Sequence, residues 1–154
     1  MDFSNCQRVV ELFSNAYVEN INLDLSNCES IDRIFSCSDA GGKTCENVTL
    51  KVSERCKNFN QAFYYCSRLT EVRFVHGSVI AAAIQFQQST KLSHASIESI
   101  INALSDTTSG LTVTLSLAAV NSAFETSEGA ADGSASEEWA ALAATKSNWT
   151  ISLV

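Results

Sequence analysis

The stretch "SNCQRVVELFSN" at residues 4–15 returns as "SNCESIDRIFSC" at 26–37 and, more loosely, as "SERCKNFNQAFYYC" at 53–66. Repetition at a period of roughly 20–50 residues marks stacked supersecondary units, none of which buries its apolar face alone. In each copy a Cys (Cys6, Cys28, Cys56) is followed three positions on by an apolar residue (Val9, Ile31, Phe59). Two more follow at six and seven: Leu12 and Phe13, Ile34 and Phe35, Ala62 and Phe63. Offsets of three, six and seven share one helical face, so the spacing predicts a strand and then a short amphipathic helix in each unit. The Cys-to-Cys steps are 22 and 28 residues, and the excess sits in "SDAGGKTCE" (38–46), a polar Gly-bearing insertion expected in a loop. A fourth unit, "EVRFVHGSVIAAAIQF" (71–86), keeps an apolar helix face (Val79, Ile80, Ala83, Ile84) and loses the Cys.

Five alternating runs read as strands: 20–26, 47–52, 71–75, 111–117 and 149–154. Ile21, Leu23 and Leu25 face one side, as do Val48, Leu50 and Val52, and Val113, Leu115 and Leu117. Asn22, Asp24, Thr49, Lys51, Arg73, Thr112 and Thr114 face the other. Parallel strands connected by helices form a curved sheet with the helices on its convex side. The expected fold class is therefore α/β: a single domain over 1–154, with irregular repeats over 1–90 and a C-terminal repeat and cap over 91–154.

The C-terminal part changes rhythm. In "KLSHASIESIINALSDTTSG" (91–110), Ser93 is placed as an N-cap, Ile97, Ile100, Ile101 and Leu104 share a helical face, and Gly110 ends the segment. A helical turn and a loop at 126–135 follow the strand at 111–117. "SASE" (134–137) fits a capping box, with Ser134 as cap and Glu137 reaching back, ahead of a helix that buries Trp139, Leu142 and Ala143. Lys146 suits its C-terminal end. A last repeat must cover the apolar surface that a next one would have buried, which makes this segment the expected cap.

Six cysteines raise the question of disulfides. Cys6, Cys28 and Cys56 occupy one repeat position, Cys37, Cys45 and Cys66 are less regular, and no pair has C-x-x-C spacing. The pattern favours buried, reduced thiols over disulfides or a metal. The formal net charge of −7, with ten scattered basic residues, argues against nucleic acid and against an anionic membrane surface. No apolar run approaches the ~20 residues of a membrane helix. The opening "MDFSNC" lacks the basic and apolar regions of a signal peptide.

"LDLSNCESIDRIFSC" (23–37) and "YYCSRLTEVRF" (64–74) resemble the recurring line of BspA-like leucine-rich-repeat proteins. The C-terminal 64 residues resemble the terminal segment of leucine-rich-repeat proteins of gut bacteria and their phages, with "SNWT" where the family usually has Gly before Trp. The resemblance implies a short, irregular leucine-rich-repeat solenoid and surface recognition: adhesins in bacteria, and tail- or virion-associated host-binding proteins in phages. It brings no catalytic residues and no cofactor.

Candidates for chemistry are sparse. His76 and His94 form no H-x-x-x-H or H-E-x-x-H pattern; His94, next to the cap Ser93, is expected to pack locally. A Cys66–His76 couple brackets a strand, but a nucleophilic Cys needs a polar, electropositive surround. The Gly-bearing stretches at 41–42 and 128–133 lack the Lys and the context of a phosphate loop and read as turns. Phe63 is core by periodicity, while Tyr64 and Tyr65 lie on the flank, as packing or as an exposed patch. The sequons at Asn47 and Asn148 start strands and read as chance matches.

No catalytic or metal-ligating set is assigned. The partner-binding candidates are Asp24, Lys51, Glu71 and Arg73, which cluster on the outward sheet face if the strands stack; the same charges would also serve only to keep a sheet soluble. The expected function is a non-enzymatic recognition module for a protein or glycan on a cell surface, in a virion or on a bacterium. The alternative is an assembly subunit that stacks through an exposed solenoid end; a hydrolase on this scaffold ranks behind both. "MDFS" aligns with "LDLS" (23–26), placing Phe3 in register with Leu25. The expectation is a chain that begins inside a repeat, cut from a longer array or covered by a second copy, with Val9, Leu12 and Phe13 partly uncovered and self-association through this repeat.

Overall fold

The computed structural model describes residues 3, 5–37, 45–124 and 136–154. These form β1 (Arg8–Val10), β2 (Asn20–Asp24), β3 (Ser30–Asp32), β4 (Asn47–Lys51), β5 (Glu71–Phe74), β6 (Ile84–Phe86), α1 (His94–Ala103), β7 (Leu111–Leu115), α2 (Leu117–Ala123), α3 (Glu137–Ala144) and β8 (Trp149–Leu153). The architecture is mixed α/β with three open sheets, ordered β1-β3, β2-β4-β5 and β6-β7-β8, and every strand pairing is parallel.

The repeat is visible in the register. Arg8 lies opposite Ser30, and an isolated parallel bridge carries that row to Asn58. Asn20 lies opposite Asn47, and Asn47 opposite Glu71. Each unit turns ahead of its first ladder strand with an equivalent backbone bond: Cys6 N–H to Phe3 O (2.9 Å), Cys28 N–H to Leu25 O (3.0 Å) and Cys56 N–H to Ser53 O (3.0 Å). Phe3 thus takes the place of Leu25, as the alignment predicts, although it is not part of a strand. Met1, Asp2 and Ser4 fall outside the described residues.

The short helices expected after each Cys are not formed by the described residues of 1–90, and this corrects the reading of the 3-6-7 spacing. Val9 and Ile31 sit on a second parallel ladder, and Phe59 directly follows Asn58, which is bridged to it. The chain then turns through a left-handed residue at one position in all three units: Glu11 (φ 55°), Arg33 (φ 49°) and Gln61 (φ 50°). Left-handed backbone cannot continue a right-handed helix. The turns close through Ser14 N–H to Glu11 O, Ser36 N–H to Arg33 O and Tyr64 N–H to Gln61 O, while the ladder runs on through Phe13 N–H to Ile34 O and Phe35 N–H to Ala62 O. The fourth unit also lacks its helix: Ile84–Phe86 is β6 and Ala83 is exposed.

One apolar cluster runs from Val9 to Trp149. Phe13, Phe35, Phe63 and Phe86 stack through it, with successive ring centroids 5.8, 5.3 and 4.5 Å apart. Val9 is buried, against expectation; Phe13 is half-buried, and Leu12 and its neighbour Val10 are each 40% exposed, whereas Ile34, at Leu12's position in the second unit, is fully buried. All six cysteines are free thiols; five are buried and Cys6 is partly exposed. Burial pushes Cys28 up to about 12, with Cys6 and Cys56 as neighbours, and Cys45 and Cys56 each up to about 11. Burial, then the neighbouring Cys45 and Cys37, also pushes the Cys66 thiol up, so the cysteines that look irregular in sequence gather around Cys66.

Helix α1 forms where the spacing predicts it, with the Ser93 hydroxyl accepting from Ser96 N–H. It covers the free edge of β5: the Ser96 hydroxyl accepts from Val72 N–H (2.9 Å) and the Ser99 hydroxyl from Phe74 N–H (2.8 Å). Two helical serines therefore stand in for the carbonyls of a next strand, satisfying edge donors that would otherwise be unpaired. Strand β7 ends at Leu115, and Leu117 opens α2 rather than extending the strand.

Helix α3 is capped by Ser136, whose hydroxyl accepts from Trp139 N–H; Ser134 lies outside the described residues, as do the insertion at 38–44, the loop at 125–135 and the Gly-bearing stretches. Lys146 is buried rather than solvated, its Nζ donating to Leu104 O (2.7 Å) and Asp106 Oδ1 (2.5 Å). Asn148 Nδ2 donates to Ser105 O and Thr108 O, and Trp149 Nε1 to Ser105 O.

Candidate functional site

The outward face of β2-β4-β5 is built by alternation: with Leu23, Val48, Leu50, Val72 and Phe74 buried, the residues between them point away from the core. Parallel register sorts them into rows. Asn20, Asn47 and Glu71 form one, Asn22, Thr49 and Arg73 the next, and Asp24 and Lys51 the third. All four candidates, Asp24, Lys51, Glu71 and Arg73, are exposed and share this face, but they are not one cluster.

Asp24 and Lys51 pair at 3.5 Å. Asp24 is also held by Ser26, whose hydroxyl (2.6 Å) and backbone N–H (3.0 Å) both donate to Oδ1. These bonds, more than Lys51, lower its carboxyl below the ordinary value. An exposed pair of this kind contributes little to stability, about 0–1 kcal/mol, so both groups can be re-partnered by a ligand at low cost.

Glu71 serves the fold. Its Oε2 accepts from the hydroxyls of Ser93 (2.8 Å) and Ser96 (2.9 Å), which ties the carboxylate to the start of α1. Arg73 forms no ion pair with another described residue. It lies in a groove of about 430 Å³ between β5 and α1, walled on the helix side by Ala95, Glu98, Ser99 and Asn102. Reading strand faces alone misses Glu98 and Asn102; the signal for them was α1's own periodicity, whose buried stripe at Ile97, Ile100 and Ile101 leaves 98 and 102 on its flank. A second, shallower groove of about 230 Å³ lies between Asn20, Asn22, Asn47 and Thr49. The face thus offers an amide and hydroxyl surface, an exchangeable ion pair and a guanidinium with no ion pair among the described residues.

His76 is exposed after β5, whereas Cys66 is buried with its thiol donating to Phe35 O (3.2 Å); no contact joins the two. His94 packs on Phe124, with ring centroids 4.4 Å apart, and its Nε2 lies 2.9 Å from Glu138 Oε1, linking α1 to α3. Tyr64 and Tyr65 are half-buried and meet edge to face at 4.3 Å, with Tyr65 in left-handed backbone (φ 56°). The sequon amides are engaged, Asn47 Nδ2 with Asn20 Oδ1 and Asn148 Nδ2 with two carbonyls. Among the described residues, no three His, Cys, Asp or Glu side chains are grouped to hold a metal, and no helix is long and apolar enough to cross a membrane. No family model matches the chain, nor does any curated protein or any solved structure.

Proposed function

We propose that this chain is a non-enzymatic recognition module: a short, irregular leucine-rich-repeat solenoid, part of a virion or a bacterial surface, whose outward sheet face docks a protein or glycan. The observation that carries the reading is the register of β2-β4-β5, which lays Asn20, Asn47, Asn22, Thr49, Arg73, Asp24 and Lys51 side by side on one exposed face. Mixed charge with neighbouring amides suits a specific polar partner, because such groups select orientation and exclude mismatched surfaces. A glycan array combined with a bacterial-cell binding assay tests it: the chain should bind saturably, and Lys51→Glu with Arg73→Glu should weaken that binding.

A specific observation favours assembly as the second reading. Strands β1 and β2 are each paired on one edge only among the described residues, and Val10 and Leu12 are exposed beside β1. Parallel edges flanked by apolar side chains invite pairing with a further copy. Sedimentation over a hundredfold range of concentration should show association that Leu12→Gln reduces; a strict monomer throughout removes this reading.

A further inference from the structure

We infer that the ladder β1-β3-Asn58 carries a second binding site, separate from the β2-β4-β5 face, for an anionic saccharide bearing a carboxylate or sulfate, with Arg8 and Lys57 as its charged contacts. The inference rests on the recognition reading. A groove of about 740 Å³ crosses this ladder, and its lining comes from two adjacent rows of the repeat. Arg8, Ser30 and Asn58 form one row through the β1–β3 register and the Ser30–Asn58 bridge. Gln7, Glu29 and Lys57 form the other, joined by Glu29 N–H to Gln7 O (2.7 Å) and Lys57 N–H to Glu29 O (2.9 Å). Arg55, from the turn that opens the third unit, completes the wall.

The charge here opposes that of the whole chain. The molecule carries −7, yet the groove gathers Arg8, Arg55 and Lys57 against one carboxylate, Glu29. Glu29 lies 3.7 Å from Arg55 and occupies it. Arg8 and Lys57 form no ion pair with another described residue and are exposed. An Arg fork on β1 and a Lys point charge two strands away, across a polar trough, can each take an oxygen of a carboxylate or sulfate. Two available cations are too few for a nucleic-acid backbone on an acidic protein.

The neutral lining decides between a saccharide and an acidic peptide. None of the lining residues is aromatic or aliphatic, so an apolar peptide side chain finds no pocket to anchor in beyond the Arg and Lys stems. Sugar hydroxyls do find partners. Asn58 Nδ2 donates one bond to Ser30 Oγ (3.0 Å), which leaves its second N–H available, and Gln7 adds a further amide. The alkyl stems of Arg8 and Lys57 can cover the C–H face of a pyranose ring.

The test titrates the full chain with sialyllactose, a sulfated disaccharide, lactose, polyglutamate and sodium sulfate, by calorimetry at low and high salt. At least one charged saccharide should bind, more weakly at high salt, while lactose does not. Arg8→Gln and Lys57→Gln should each reduce affinity about tenfold, the usual scale for a charge-assisted contact. Lys91→Gln, exposed and outside both grooves, should change nothing, and equal thermal midpoints should show that the variants fold. Binding of lactose or sodium sulfate as tight as that of the charged saccharide overturns the assignment, as does binding of polyglutamate alone or binding insensitive to Arg8→Gln and Lys57→Gln. Failure of every saccharide with cell binding retained defeats this site alone; failure of cell binding and of the whole glycan array defeats the recognition reading as well.

Discussion

Glu11, Arg33 and Gln61 mark one repeat position by backbone rather than by side-chain type, since an acid, a base and an amide all adopt positive φ there. Left-handed backbone costs an L-residue about 1–2 kcal/mol, and β-branching makes it worse. Gln61 is exposed, so its replacement tests the backbone without disturbing the core. Gln61→Val should lower unfolding stability by about 1–2 kcal/mol, while Gln61→Gly should be neutral or slightly stabilising. Equal urea midpoints for the two variants would argue for a helix at this position. The thiols give a second test at this scale. Thiolate is the reactive form, and burial raises Cys28, Cys45 and Cys56 from the usual 9.0 to about 12, 11 and 11. At pH 8 a thiol reagent should label Cys6 first and the other five only on unfolding. The native state keeps its thiol protons where the unfolded chain has lost them. The contribution of the three thiols is therefore full below about pH 9 and is lost as pH rises through 11 to 12. An alkaline melt whose midpoint does not fall above pH 9 would contradict this.

Among the elements, α1 holds the β5 edge through side chains rather than through a strand. Replacing Ser96 and Ser99 with Ala leaves Val72 N–H and Phe74 N–H without their acceptors, at about 1–3 kcal/mol for each buried donor. Urea unfolding of Ser96→Ala/Ser99→Ala should show a loss of several kcal/mol, and a loss below about 1 kcal/mol would mean that the serines do not seal the edge. This helix was legible in the sequence because Ser93 caps it and Ile97, Ile100 and Ile101 repeat with its period. The strands β2, β4, β5, β7 and β8 were legible for a similar reason: each is four or five residues long, enough for alternation to register. Strands β1, β3 and β6 have three residues each, too few for a period. Where β1 and β3 run into a left-handed turn, at Glu11 and Arg33, the apolar residues fall at offsets that imitate a helix. Lys146 does follow the C-cap of α3, Thr145, but the burial of its ammonium was not legible because its carbonyl partner, Leu104, lies far away in sequence. At the site, alternation was enough to place Asp24, Lys51, Glu71 and Arg73 on one face. It could not tell that Glu71 is occupied by Ser93 and Ser96 while Arg73 has no ion-pair partner among the described residues, because α1 reaches that edge only in three dimensions.

At the scale of the whole molecule, three parallel sheets share one apolar cluster whose surroundings differ toward the two termini. At the C-terminal end, Trp139 packs on Phe124, while the buried Lys146 and Trp149 close the core with hydrogen bonds to Leu104 O and Ser105 O. At the other end, Val10 and Leu12 remain exposed beside a ladder edge. Between them the polar residues of β2, β4 and β5 share one face, through which we propose that the chain recognises its partner. The most direct measurement is flow cytometry of fluorescently labelled chain on a panel of bacterial cells, comparing the unaltered chain with Lys51→Glu/Arg73→Glu. These residues are exposed and their contribution to stability is small, so the variant should fold. Saturable binding to at least one cell type is expected, reduced about tenfold or more by the double replacement. Binding to no cell at any concentration, or binding that the folded variant retains in full, would contradict it.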